Sequence, residues 1–244
     1  DYRGLALRFA GRPETDLVDP ASVERAISLG TDIVINTAAY TDVDRAEIEP
    51  AVAASITADG AAAAARAARK VGARFVQVST DYVFDGLATT PYAEDAVPDP
   101  RSAYGRTKLA GEVAVREVLP DSHYLVRTAW LYGRNGANFV KTMARLERER
   151  DTVSVVDDQR GQPTYSLDLA EQIVRLVEAR PAAGTFHGTN SGEVTWFGLA
   201  REVFALLGAD PARVLPTTSA EFAMAASRPA YSVLGHDRWA EVGL

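Results

Sequence analysis

Residues 56–86, ITADGAAAAARAARKVGARFVQVSTDYVFDG, decide the fold. From Ile56 to Val71 the segment is alanine-rich, and Ala is the strongest helix former. It ends at Gly72, the residue type best able to adopt the left-handed conformation that closes a helix. Arg74–Ser79 (RFVQVS) then changes to a short apolar run, which reads as a strand feeding the loop Thr80–Gly86. A helix coupled this tightly to a buried strand is half of a βαβ unit.

The same alternation extends both ways. Upstream, Gly4–Ala10 reads as a strand, and Asp32–Asn36 (DIVIN) as a buried strand running into Thr37-Ala38-Ala39-Tyr40. Downstream, a proline-rich loop from Pro91 to Pro100 precedes a helix from Tyr104 to about Val118, and His123–Thr128 (HYLVRT) is a core strand. Phe139–Arg150 reads as helix, Thr152–Val156 as a short strand, and Thr185–Thr189 as another strand. Ser166 is the expected N-cap of a helix reaching about Ala179, with Asp168 in its first turn. Thr195–Leu207 is a helix stopped by Gly208, and the tail from Val214 is less periodic. This pattern predicts an α/β fold, a Rossmann-like doubly wound parallel sheet with a small C-terminal substrate lobe. The expected division is 1–134 with 164–190 for dinucleotide binding, and 135–163 with 191–244 for substrate binding.

The 244 residues are 47% hydrophobic and 24% charged, ordinary for a globular chain. A net charge of −7 and the lack of a basic stripe argue against nucleic acid as a partner. Zero cysteines exclude a disulfide framework and thiolate chemistry, and fit a reducing cytoplasm. No apolar run reaches the ~20 residues of a membrane helix. The oligomeric state stays open, a homodimer included.

Tyr104-Gly105-Arg106-Thr107-Lys108 places a phenol and an ammonium one helical turn apart, on one face. With nine tyrosines and three lysines (Lys70, Lys108, Lys141), about 0.1 such pairs arise by chance, so neighbouring signals matter. The lysine is expected to favour the phenolate and pull the tyrosine down from about 10, making a proton donor for a carbonyl under reduction. Parallel strands present ligands at their carboxyl ends. Thr37–Tyr40, Ser79–Asp85 and Thr128–Tyr132 all fall at such ends. A hydroxyl in Ser79-Thr80-Asp81-Tyr82 can bond the same oxygen that Tyr104 protonates, although strand-end turns are often rich in these residues. Trp130, Tyr132 and Gly133 form a candidate aromatic wall, with core filling as the competing account. Arg160-Gly161-Gln162-Pro163-Thr164 either grips phosphates or closes a loop. Asp157-Asp158 and the scattered His123, His187 and His236 have no ligand spacing, so no metal site is expected.

A dinucleotide enzyme needs a glycine-rich turn between its first strand and helix. Gly11-Arg12-Pro13 lacks that pattern, so a βα unit of roughly 30 residues is expected to precede Asp1.

The chain resembles the extended short-chain dehydrogenase/reductases, and among them the dTDP-4-dehydrorhamnose reductases. The likeness runs through DIVINTAAYTDVDRAE (Asp32–Glu47), VSTDYVFDG (Val78–Gly86), Pro91-Tyr92 with Glu94-Asp95, SAYGRTKLAGE (Ser102–Glu112), VRTAWLYG (Val126–Gly133), NFVKTM (Asn138–Met143) and SVVDDQRGQPT (Ser154–Thr164). Arg228-Pro229 with Ser232 resembles the family's substrate-lobe motif. The resemblance implies Thr80, Tyr104 and Lys108 as catalytic residues, with Lys108 also holding the nicotinamide ribose. It implies Thr41, Val43, Asp81, Tyr82, Tyr104 and Trp130 as contacts to a dTDP-linked keto-deoxy sugar. Asp16, Leu17, Ala38, Ala39 and Tyr40 would contact the cofactor, NADPH or NADH. Arg8 and Arg12 incline the choice to NADPH, since either could take a 2′-phosphate. The implied reaction reduces the C4 keto group of dTDP-4-dehydro-L-rhamnose. Two departures are Thr57, where the family usually has asparagine, and an end at Gly243-Leu244 that falls short of the family's. Other readings on the same fold are a nucleotide-binding regulatory subunit, like the β subunit of methionine adenosyltransferase, and a sugar-nucleotide epimerase or dehydratase.

Overall fold

The computed structural model describes residues 6–222 and 224–244. Its elements in chain order begin with α1 (Pro20–Ala26), β1 (Ile33–Asn36), α2 (Val43–Ile48), α3 (Pro50–Ala54) and α4 (Gly60–Val71). There follow β2 (Arg74–Thr80), α5 (Ala103–Val118), β3 (His123–Thr128), β4 (Leu131–Tyr132), α6 (Phe139–Glu149), β5 (Val153–Val156), β6 (Arg160–Gly161) and β7 (Thr164–Tyr165). The last are α7 (Ser166–Ala179), β8 (Gly184–His187), β9 (Val194–Thr195), α8 (Trp196–Leu206), β10 (Val214–Thr217) and α9 (Asp237–Glu241).

The central sheet has four parallel strands in the order β1-β2-β3-β8, each joined to the next by helices. Neighbouring strand residues point to opposite faces, so the sheet carries two cores. Phe75 and Leu125 pack with Val23, Ala64, Ala68 and Val115 on one face. Val76, Tyr124 and Val126 pack with Leu169, Ile173 and Leu176 of α7 on the other. Burying each such large apolar side chain contributes about 1.5–3 kcal/mol. A third core lies apart, where α6 and α8 close over the parallel pair β5–β10 through Met143, Val155, Val203, Phe204 and Val214.

Three expectations are corrected. Gly4 and Leu5 lie outside the described residues, and Ala6–Ala10 form no strand, because a strand needs a ladder partner and these residues find none. The alanine-rich helix begins earlier, at Pro50, and passes through a π-helical turn at Ser55–Asp59 before α4, which does end on Gly72 with φ +75°. Ser166 is the first helical residue of α7 rather than its cap. Tyr165 holds the cap position, and its amide donates to Asn190 Oδ1 at 2.7 Å.

Candidate active site

The carboxyl ends of β1, β2 and β3 open on one edge of the sheet. α5 brings Tyr104 to that edge. Ser102 caps it, accepting the Gly105 amide at 3.1 Å, and Glu47 of α2 accepts the Ala103 amide at 2.6 Å. Gly105 permits the approach: a Cβ there would lie 2.2 Å from the Tyr82 carbonyl oxygen. The Tyr82 and Tyr104 rings then meet edge to face, with centroids 5.6 Å apart.

Thr80, at the end of β2, donates to Asp81 Oδ1 at 3.0 Å and accepts the Tyr82 amide at 3.2 Å. The same hydroxyl lies close enough to the Tyr104 phenol to act on its titration. The phenol packs with Tyr40 against Ala46, Ala53 and Ala103. Its pKa contradicts the sequence expectation. Desolvation pushes it up to about 12, the Thr80 hydroxyl opposes this, and the Asp81 charge adds to it. Lys108 is not among the groups that move it, and its ammonium donates to the Val78 carbonyl at 2.6 Å. Burial in turn pulls Lys108 down to about 8, against the raising influence of Glu112 one turn on. Asp81 is buried, which pushes its carboxyl up to about 6 despite the Ser232 and Thr80 hydroxyls. Tyr104 is therefore a neutral phenol at neutral pH, able to donate a proton.

Glu112 is a site residue that sequence reasoning passed over. It is fully buried and holds Arg127 of β3 through two bonds of 3.0 and 2.8 Å. Its signal was present, a carboxylate four residues after Lys108 on the same buried face. Asp44 was missed as well. It accepts from Arg228, 184 positions away, a pairing that no local pattern marks.

Five of the six residues expected to contact a cofactor, Asp16, Leu17, Ala38, Ala39 and Tyr40, line one cleft of about 560 Å³, as does Thr41, whereas Lys108 does not line it. Asp16 there is ion-paired with Arg12 at 3.0 Å, and hydrogen bonds from Arg12 and the Val18 amide keep its carboxyl below the usual range. Arg12 lines the cleft, while Arg8 bonds the Ala26 carbonyl. Asn36 accepts the Ala38 amide at 3.2 Å and donates to Gln77 at 2.9 Å, fixing the turn after β1. Thr57, the departure from asparagine, accepts the Tyr40 amide at 3.0 Å from the π-helical turn, so a side-chain acceptor is retained. A dinucleotide suits these walls. The volume falls in the ligand range, and Ala38 and Ala39 leave room for a flat group. Ser79 Oγ and Thr128 Oγ1 at the neighbouring strand ends are buried without a partner among the described residues. The glycine-rich turn is not among the described residues of these walls, where Gly11 stands with open space around it.

Trp130 is held apart from this network. With φ +46° it stacks on Trp196 at 3.5 Å, against Gly161. Val43 is the first residue of α2, whose cap is Asp42. Arg160 pairs with Glu193, and Gln162 accepts Leu234 N and Thr189 Oγ1, so that turn closes the lobe. Asp157 and Asp158 bond Thr195 and Ser219. The three histidines bond Leu119 O, Gly235 O and Thr189 Oγ1. Among the described residues no acid and histidine cluster has metal-binding geometry.

A proton-donor tyrosine, a buried lysine and a dinucleotide-sized cleft do not by themselves single out one family. Residues 2–244 match the RmlD substrate binding domain family. The chain belongs to that family. It is 53% identical to a dTDP-4-dehydrorhamnose reductase of Streptomyces griseus, over 100% of this chain and 82% of that protein. A dTDP-4-keto-6-deoxy-D-glucose reductase of Streptomyces niveus is 51% identical, over 96% of this chain and 81% of its own length. The crystal structure of the dTDP-4-dehydrorhamnose reductase of Bacillus anthracis in complex with NADP superposes with a TM-score of 0.91 at 41% identity, covering 95% of this chain and 82% of that one. No helix among the described residues is long and apolar enough to cross a membrane.

Proposed function

We infer that this RmlD-family chain is an NADPH-dependent reductase acting on the C4 keto group of dTDP-4-dehydro-L-rhamnose, giving dTDP-L-rhamnose. The observation that carries the reading is the neutral Tyr104 phenol near Thr80 at the carboxyl end of β2, with Lys108 one turn along the same helix. NADPH, when bound, supplies the hydride. Tyr104 donates its proton to the C4 oxygen, acting as general acid. Thr80 bonds the same oxygen and steadies the charge that develops there. Lys108 would hold the ribose with the ammonium protons it does not give to the Val78 carbonyl. Asp16, Leu17, Ala38, Ala39 and Tyr40 line the cofactor cleft, and Thr41, Val43, Asp81, Tyr82 and Trp130 are the proposed contacts to the sugar nucleotide. The separate core around β5 and β10 supports assigning 135–163 with 191–244 to substrate binding, and 1–134 with 164–190 to the dinucleotide. Zero cysteines support a cytoplasmic setting.

The Streptomyces niveus relative supports a second reading, the same C4 reduction on a 4-keto-6-deoxy-glucose epimer. Assaying NADPH oxidation with both keto sugars separates the two. Tyr104→Phe should lower kcat by about 10²–10⁴-fold with cofactor binding intact. Undiminished turnover by that variant would sink the mechanism.

A further inference from the structure

Asp44, near the start of α2, is bound twice by one distant stretch of chain. It accepts the Ala226 amide at 2.9 Å on one oxygen and the Arg228 guanidinium at 2.7 Å on the other. Arg228 also lies over the Tyr82 ring, 6.0 Å from its centroid, and Tyr82 meets Tyr104 edge to face. Beside it, Pro229 packs so closely on Gly86 that a Cβ there would come within 2.5 Å. Residues 226–229 are thus pinned at once to α2 and to both ends of the loop that follows β2. The Arg228 side chain is 15% exposed and that of Asp44 42%. Burial acts to raise the Asp44 carboxyl, but the Ala226 amide and Arg228 outweigh it and hold it below the usual carboxylate range, so the pair is ionised at neutral pH.

We propose that Asp44 and Arg228 are positioning residues of the reduction: their ion pair holds Tyr82 against Tyr104 and so fixes where the phenol meets the sugar carbonyl. The proposal rests on the reductase reading above. α5 fixes the Tyr104 backbone, the ring direction is left to its own side-chain torsions, and the Tyr82 ring stands nearly perpendicular against it with centroids 5.6 Å apart. Tyr82 is in turn kept in place by a cation over its ring, an attraction that needs the guanidinium anchored. Asp44 is the anchor. A displacement of about 1 Å at a reacting group can cost up to about 100-fold in rate, so a pair that touches no reacting atom can still govern kcat.

The test combines kinetics with NMR on the whole chain. Asp44→Asn should lower kcat for the keto sugar about 10-fold while NADPH affinity stays unchanged, the split expected of a misplaced acid rather than of a lost binding contact. Asp44→Glu should recover most of that loss. Arg228→Lys, which keeps charge but loses the planar fork, should fall between. The double variant Asp44→Asn/Arg228→Lys should be no slower than the slower single, because both act through one contact. In tyrosine-labelled protein the cross-peaks between the Tyr82 and Tyr104 rings should weaken in Asp44→Asn without substrate present. Unchanged kcat in Asp44→Asn, losses that multiply in the double variant, or ring cross-peaks that persist in the slowed variant would each overturn the proposal. A wild-type chain that turns over no keto sugar but loses the cross-peaks in Asp44→Asn would instead defeat the reductase reading and leave the pair's structural effect standing. Should Asp44→Asn fail to fold, the comparison of Arg228→Lys with wild type decides.

Discussion

Replacing Lys108 by methionine should remove activity and yet stabilise the protein. Lys108 is 6% exposed, and burial brings its pKa from 10.5 to about 8. At 1.36 kcal/mol per unit, that shift means the charged form opposes folding by about 3 kcal/mol. Methionine matches the stem, needs no hydration and loses one bond, that to the Val78 carbonyl, worth about 1–2 kcal/mol. The net gain is then about 1–2 kcal/mol, or roughly 2–8 °C in Tm for a chain of this size. The sign of the pH dependence follows from proton counts. Below pH 8 the lysine is protonated in both states and the opposition is complete. Between about 8 and 10.5 the unfolded chain binds the extra proton, so wild-type stability gains up to about 1.4 kcal/mol per pH unit from this group and the advantage of methionine shrinks. Urea unfolding of both proteins at pH 7, 8, 9 and 10 measures this directly. A methionine variant less stable than wild type at pH 7, or an advantage that does not decline above pH 8, refutes the reasoning. It would mean that Lys108 is better solvated, or better paired with Glu112, than its burial implies.

Two further substitutions probe the same helix. Glu112→Ala leaves the Arg127 guanidinium buried without its partner and should cost about 3–5 kcal/mol in urea unfolding, the range for breaking a buried pair; a loss below about 1 kcal/mol would show that the site takes up water. Gly105→Ala must push α5 or the Tyr82 loop apart, since the new Cβ would meet a backbone oxygen at 2.2 Å. It should lower kcat about 10-fold or more, and a normal kcat would mean that the Tyr82–Tyr104 contact is dispensable.

How far the site could be read in advance depended on distance along the chain. The turn after β1, the Thr80 loop and the Tyr104 helix were legible because each is announced within a few residues by a change of hydrophobic period or a glycine. That all three meet at one edge followed from the sheet being parallel. The cap of α7 was misplaced by one residue because its acceptor, Asn190, lies 25 positions later. The Ala6–Ala10 stretch has strand composition, but composition cannot supply a ladder partner.

Sequence alone determined the α/β class, the resemblance, and the shared face of Tyr104 and Lys108, all consequences of short-range periodicity and motif. Tertiary structure decided the protonation of those two groups, since desolvation depends on everything packed around a side chain and not on its neighbours in sequence. It raised the Tyr104 phenol where the sequence pointed to a lowering, through desolvation, and turned the Lys108 ammonium to the Val78 carbonyl. It also brought Arg228 to Asp44 across 184 residues, a contact that exists only because the folded chain closes on itself there.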